Sequence, residues 1–480
     1  MKPGISLCMI VRDEAAVLDR CLASAREICD EIIVVDTGST DSTRDIARRY
    51  GARLFEFPWT GDFSAARNES LAHAEHEWIL QLDADEFLYE GDYPKIRAAI
   101  EAREVHAYNV RILNDLPSGG LGTLLFPRLF RNGEGCRYEG IVHNQLRVPG
   151  AIATCEIRIH HTGYGDPAAT ERRYARSAPL LRRQIEENPH DPTPHYHLAI
   201  LAHSRGNADE ALFHARRAAE FRTVLESAAP DNNVEPQLPT ILDLVALGHQ
   251  LRDEWETAAR ILEHALTFDA EFPDALFDLA YTREHQGRRD EAIEIYQRYL
   301  RACETWAPSS THACSMLRSL ESTHIAWNNI GGLYRAAGRV DDARAAFARA
   351  IEIDPNLAVA YRNLGNLEAQ AGEFVTAAKL FRAAVSLGGP DADLLEKLGV
   401  SLANTGAHLE AITIFDRVTQ LRPRCPIAWR HLGVTWSVLG RMPEAERALE
   451  QAVELEDTPG EAALFLERIR RGPRPPARKS

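Results

Sequence analysis

The stretch WILQLDADEFLY, residues 78–89, runs from an apolar segment straight into three carboxylates, Asp83, Asp85 and Glu86. Carboxylates set side by side repel one another and raise one another's pKa. A cation nearby relieves that repulsion. The stretch therefore predicts a buried strand ending near residue 82 and, at its end, a place that holds positive charge.

Upstream, strand and helix signals alternate. ISLCMIV (5–11) reads as a buried strand and EAAVLDRCLASA (14–25) as a helix with apolar residues at helical spacing. EIIVVD (31–36) is a second strand ending at Asp36, and TGSTDSTRDIARRYG (37–51) a turn and helix, capped by Thr40 or Asp41 and ended by Gly51. ARLFEF, SAARNESLAHAE and EWILQLD continue the alternation to residue 83. Strands separated by helices predict a mostly parallel sheet covered on both faces. Such sheets bind ligands at the carboxyl ends of their strands, where Asp36 and Asp83 stand. From about 100 to 165 the pattern is less regular, and AYNVRIL, LLFPRLFR and CEIRIHHTGY read as strands and loops completing the same domain.

Downstream the chain repeats. Trp327, Tyr361, Leu395 and Trp429 are 34 residues apart, each followed by Ile or Leu and then Gly (Gly331, Gly365, Gly399, Gly433). Ala343, Ala377, Ala411 and Ala445 recur in the same frame, as do Phe347, Phe381, Phe415 and Leu449, and Pro355 and Pro423 close two units. Small residues let two antiparallel helices touch, aromatics fill the gap between pairs, and proline stops the second helix. Weaker units start from Leu276, Leu242 and His195, and insertions around 222–237 and 301–320 break the period.

Composition bounds the rest. The 480 residues suffice for two or three domains, and 45% are hydrophobic. A net charge of −15 argues against a general nucleic-acid binder. Eight scattered cysteines without a C-x-x-C pair argue against a zinc or dithiol site and fit a reduced, cytoplasmic protein. No apolar run approaches the roughly 20 residues of a membrane span.

The repeats resemble the tetratricopeptide repeat, about seven units over 190–460. The first 165 residues resemble a family 2 glycosyltransferase of the GT-A fold, through MIVRDEAAVLDRCLAS, IIVVDTGSTDST, DFSAARNESLAHAEHEWILQLDADE and GIVHNQL. The expected fold is thus an α/β GT-A-like (Rossmann-like) domain, 1–165, a helical connector, 166–189, an all-α tetratricopeptide solenoid, 190–460, and a helix end with a basic, Pro-rich tail expected to be disordered, 461–480.

The resemblance implies transfer of a sugar from a nucleotide diphosphate, usually with inversion. It places Asp83, Asp36, Arg67 and Asn68 on the donor and Asp85 on a divalent metal, Mg²⁺ or Mn²⁺, which suit hard oxygen ligands. His143 is a further candidate ligand, Glu139 the candidate base, and His160 and His161 further site candidates; relatives often show His-Glu where this chain has His143-Asn144. Taken singly, D-x-D also fits a solvated turn, Arg67 a surface salt bridge, Asp41 an N-cap, and Thr37, Ser39, Arg12 and Glu14 structural roles. Asn329 and Asn363 share one place in consecutive units, like the asparagine ladder of O-GlcNAc transferases, although Lys397 and His431 break it. They imply a groove for a protein or peptide acceptor. The competing readings are a transferase for a glycan or lipid-linked acceptor, with repeats used for assembly, and an inactive scaffold.

Overall fold

The computed structural model describes residues 2–115, 121–133, 135–142, 144–162, 167–228, 237–305, 316–456 and 460–471. His143 and the Pro-rich tail after Arg471 lie outside the described residues. The chain divides into two compact units, Met1–Ser322 and Thr323–Ser480.

The first unit opens with β1 (Lys2–Val11), α1 (Leu18–Ala25), β2 (Glu31–Asp36), α2 (Thr43–Arg49), β3 (Arg53–Glu56), α3 (Phe63–Ala72), β4 (His76–Gln81) and β5 (Glu86–Leu88). It continues with α4 (Tyr93–Ala99), β6 (Ala107–Asp115), β7 (Leu121–Arg131), β8 (Arg137–Glu139), β9 (Gln145–Arg147) and β10 (Ile152–His161). Strands β3-β2-β1-β4-β7-β6-β10-β5 form one sheet, and β8-β9 a separate hairpin. Only β3, β2, β1 and β4 are parallel throughout. The other half is mixed, because β7 runs antiparallel to both β4 and β6, and β5 antiparallel to β10. The expectation of a mostly parallel sheet therefore holds for the first four strands and fails beyond them.

Two-residue alternation explains the layering. On β1, Ile5, Leu7 and Met9 join the core under α1 and α4, while Cys8 joins the core on the other face with Leu71 and Ala74, at the end of α3.

Helices α5 (Pro167–Glu187), α6 (Pro192–Ser204), α7 (Ala208–Ala228), α8 (Leu238–Gln250), α9 (Trp255–Phe268), α10 (Pro273–His285) and α11 (Arg289–Thr305) complete the first unit, with a short β11 (Met316–Leu317). β11 belongs to the insertion that breaks the repeat period, and it pairs antiparallel with β7, Met316 opposite Leu124. The segment is anchored at both ends. Arg318 bonds Asp243 on α8 and, at 2.7 Å, Asp278 on α10, while the backbone N–H groups of Arg318 and Ser319 donate to Asp274 at 2.9 and 2.8 Å. Glu321 accepts from Thr123 on β7 at 3.0 Å. Residues 316–322 thus strap the early repeats to the sheet.

The second unit holds α12 (Thr323–Ala336), α13 (Val340–Ile353), α14 (Ala358–Gln370), α15 (Phe374–Gly388), α16 (Ala392–Asn404), α17 (His408–Leu421), α18 (Pro426–Val438), α19 (Met442–Leu455) and α20 (Glu461–Arg471). From α6 to α19 the described residues form seven helix pairs. The repeat glycines are contact points: a Cβ on Gly331 would stand 2.6 Å from the Phe347 ring, and one on Gly399 2.6 Å from Phe415.

Candidate active site

Two interlocked loops follow β1 and β2. Asp13 takes a positive φ of 56°, a region non-glycine residues rarely adopt, and accepts from the Thr40 N–H at 2.7 Å. Its own N–H donates to Ser39 Oγ at 3.0 Å, and the Glu14 N–H to Thr43 Oγ1 at 2.8 Å. Asp41 accepts from the N–H groups of Ala15 and Thr43, so it braces both loops. Glu14 is half-buried; burial first, then the charge of Asp85, pushes its carboxyl up to about 7.

The carboxylate cluster after β4 splits into two parts. Asp83 receives Arg67 at 2.7 Å, Gln81 at 3.0 Å and Arg128 at 3.2 Å. The same Arg128 nitrogen bonds Glu86 at 2.7 Å, and Glu86 also accepts from the Asp83 N–H at 2.8 Å. Burial pushes the Asp83 carboxyl up, but Arg67 and Arg128 outweigh it and hold it well below the usual carboxylate range. For Glu86 burial wins, reinforced by the Asp83 charge, and its carboxyl is raised despite Arg128. Two carboxylates and two guanidinium groups thus balance.

Asp85 stands apart from that balance. Its backbone carbonyl is held by Thr162, and its carboxylate lies 3.0 Å from His161 Nε2. The ring's other nitrogen, Nδ1, is 2.7 Å from Asn114 Oδ1. Buried Asn114 spends its amide N–H groups on the carbonyl oxygens of Ile112 and Gly122, at 3.2 and 3.3 Å, so its oxygen must face the ring. His161 Nδ1 therefore carries the proton, and in the neutral ring Nε2 offers a lone pair toward a carboxylate. Either a second proton or a cation between them satisfies both. Burial lowers the pKa of His161, but the bond to Asp85 prevails and raises it, as the proton alternative requires.

A carboxylate oxygen and an oriented imidazole nitrogen, with Asn114 behind the ring, form a donor set that fits a divalent cation. Among the described residues no group of three or more His, Cys, Asp or Glu is arranged to hold a metal. Two protein ligands suit a cation whose remaining positions go to substrate phosphates and water.

Comparison with known proteins bears on the same residues. The family model "Glycosyl transferase family 2" matches residues 6–133, which include both loops, Arg67, the carboxylate cluster and Arg128. Tetratricopeptide-repeat models match 322–387 and, separately, 250–305, 362–423 and 397–462. A TPR repeat-containing protein of Synechococcus elongatus is 31% identical over 72% of this chain and 75% of its own length. The chain carries a family 2 glycosyltransferase domain at its N-terminal end and a tetratricopeptide array after it. An uncharacterized glycosyltransferase of Rickettsia bellii is 35% identical over 23% of this chain, and the glycosyltransferase SunS of Bacillus subtilis 24% identical over 45%. The chain spans 38% and 53% of those two proteins. Among solved structures, the TPR protein YrrB is similar at 20% identity, covering 44% of this chain and 98% of its own, with a TM-score of 0.38.

In this glycosyltransferase the other expected site residues are placed as follows. Asp36, fully buried at the end of β2, accepts from Arg44 Nε at 2.6 Å and from the Ser39 N–H at 3.1 Å. Asn68 spends both halves of its amide on the backbone of Tyr138, at 3.0 and 2.8 Å, and so ties α3 to β8 rather than reaching into the site. His160 points the other way from His161 and is held by Tyr89 at 2.8 Å and Asp115 at 3.0 Å.

Glu139, the expected base, has partners of its own. It lies on the β8 edge, half exposed, with Arg137 at 2.6 Å and Arg147 at 2.8 Å. The bonds from Arg147 and Arg137 lower its pKa, so in this structure its carboxylate is engaged by the hairpin's own arginines. In the repeats Asn363 meets not Asn329 but its neighbour: Asn363 Nδ2 donates to Asn328 Oδ1 at 2.9 Å, and Asn328 Nδ2 to Asn329 Oδ1 at 3.4 Å.

Arg128, Arg44 and Asn114 were not singled out from the sequence. Arg128 had one signal, a cation within the apolar strand LLFPRLFR. Among the described residues no helix is long and apolar enough to cross a membrane.

Proposed function

We propose that this glycosyltransferase takes its sugar from a nucleotide diphosphate, uses Mg²⁺ or Mn²⁺, and delivers the sugar to a protein or peptide held by the repeats. The Asp85–His161 pair, with its proton arrangement dictated by Asn114, carries the reading. Asp85 and His161 would hold the cation, which when bound offsets charge on the departing diphosphate. Arg67 and Arg128 hold Asp83 ionised and in place to orient the donor. Asp36, on the neighbouring strand end and paired with Arg44, would read the nucleotide base.

The test is hydrolysis of a panel of nucleotide sugars by the full chain, with Mn²⁺ or Mg²⁺ and with excess chelator. One or more donors should be hydrolysed only with metal, and Asp85→Asn should abolish that hydrolysis without altering the melting temperature. Full activity in chelator would overturn the metal reading.

The strap favours a second reading for the early repeats. Their side chains hold residues 316–322 against the sheet, an assembly role, which leaves a glycan or lipid-linked acceptor open to the catalytic unit. A chain ending at Ser322 that still glycosylates the natural acceptor at full rate would select it.

A further inference from the structure

The second unit repeats one cross-helix contact with different chemistry. On α14, Asn363 reaches Asn328 on α12. Two periods later, on α18, His431 Nε2 faces Glu396 on α16 at 3.8 Å. Residues 328 and 396 are 68 apart, as are 363 and 431, so both contacts join the same two positions of adjacent units. The intervening instance pairs 362 with 397, which are Arg362 and Lys397. The fold thus brings two cations to a meeting point that elsewhere holds a hydrogen-bonded amide pair or a carboxylate facing an imidazole. Both are exposed, and among the described residues neither forms an ion pair.

The carboxylates near Lys397 have other partners. Asp393, one turn back, is engaged by Arg422 at 2.5 Å, and Glu396 faces His431. On α12, Arg335 is seven residues, two turns, beyond Asn328 and so on the same helix face; it too is exposed without an ion pair among the described residues. Arg430, two periods after Arg362 in the same position, is neutralised by Glu461 at 2.6 Å. Arg335, Arg362 and Lys397 thus set a row of cations outside any ion pair among the described residues along α12, α14 and α16, beside the three linked asparagines, with the charges of Asp393 and Glu396 acting on Lys397 from a longer distance, in a chain whose net charge is −15.

We propose that this face binds an extended acidic peptide segment, its backbone against Asn328, Asn329 and Asn363 and its carboxylates at Arg362–Lys397 and Arg335. Carboxylates suit the site because guanidinium and ammonium groups outside an ion pair gain most from a charge-assisted bond to an anion. A peptide suits it better than nucleic acid, because the cations form a short row in an acidic protein rather than a broad basic surface. The inference rests on the proposal of a peptide acceptor and names its chemistry.

The probes are a fluorescein-labelled 12-residue peptide with glutamate at alternate positions, its glutamine and lysine counterparts, and a 12-nucleotide oligothymidylate, each titrated into the full chain by fluorescence anisotropy. The glutamate peptide should bind at least tenfold tighter than the glutamine one. In the double variant Arg362→Glu, Lys397→Glu the preference should invert toward the lysine peptide, with melting temperature and nucleotide-sugar hydrolysis unchanged. The milder Arg362→Gln, Lys397→Gln pair should bind both peptides equally. Equal binding of the glutamate and glutamine peptides by wild type, no binding of either, or no inversion in the reversed variant overturns the proposal. Tighter binding of the oligonucleotide also overturns it, in favour of a nucleic-acid surface. Nucleotide-sugar hydrolysis in the same samples separates the two readings. Hydrolysis without peptide selectivity sinks only this inference, and selectivity without hydrolysis sinks only the donor reading.

Discussion

Arg128 and Glu86 form an ion pair at 2.7 Å in which both side chains are almost entirely enclosed, and the same guanidinium nitrogen reaches Asp83. Removing one partner of such a pair leaves an uncompensated buried charge, at a cost of about 3–5 kcal/mol. Arg128→Met should destabilise the first unit by about that amount, read from denaturant unfolding. Pairing it with Glu86→Gln should recover a large part. If Arg128→Met alone leaves the unfolding midpoint unchanged, the charge balance assigned to this cluster is wrong.

Asn114 acts on the site through His161. Losing a partner that orients a metal-binding histidine typically costs about 10–100-fold. Asn114→Ala should lower metal-dependent donor hydrolysis by about that factor and raise the metal concentration needed for half-activity. His161→Ala should lower it further. Unchanged metal dependence in Asn114→Ala would show that the ring is held by other means.

Glu139 gives a prediction of the opposite kind. Loss of a general base costs about 10²–10⁴ in rate. With its carboxylate held by two arginines, Glu139→Gln should change transfer by no more than a few-fold. A hundredfold fall would identify it as the base.

Acid should loosen the first unit. Burial, aided by the charge of His214, depresses the pKa of His195 to about 4, and burial, aided by Arg318, does the same for His203. Unfolded histidine titrates near 6.5, so between about 4 and 6.5 the unfolded chain binds more protons. Stability from these groups is fully present above about 6.5 and lost as pH falls through about 4. Melting temperatures measured from pH 7 to 4 should fall, and less steeply in His203→Leu. Parallel curves would deny His203 that role.

The strap places the end of the first unit at Ser322. A chain ending there should fold and hydrolyse donor. One ending at Thr305 lacks β11 and Arg318 and should melt several degrees lower. Equal melting temperatures would make the strap a passive passage.

Much of this was legible because it is local. The strand ending at Gln81, the carboxylates after it and the 34-residue period each leave a pattern within one segment. Asp83 with Arg67 was readable through the family resemblance, and the structure brings them together. The remainder depends on distant pairing. Arg128 reaches Asp83 only because β7 folds back against β4, and Asn114 reaches His161 only because β6 lies beside β10. The partner of Glu139 was hidden for the same reason, since Arg147 meets it only across the β8–β9 hairpin. The expectation of a mostly parallel sheet failed where apolar strands follow one another without a helix, and alternation no longer reports direction.

Solenoids ordinarily change length by gaining or losing whole units. The strap removes that freedom from the early array. Deleting one unit between α6 and α11 would carry Asp243 or Asp274 away from Arg318 and pull β11 out of register with Leu124. Inheritance of the spacing from β7 to Arg318 should therefore be strict, while the number of units after Thr323 is free to drift. Among relatives that share the strap, the number of later units should vary and that of the early ones should not.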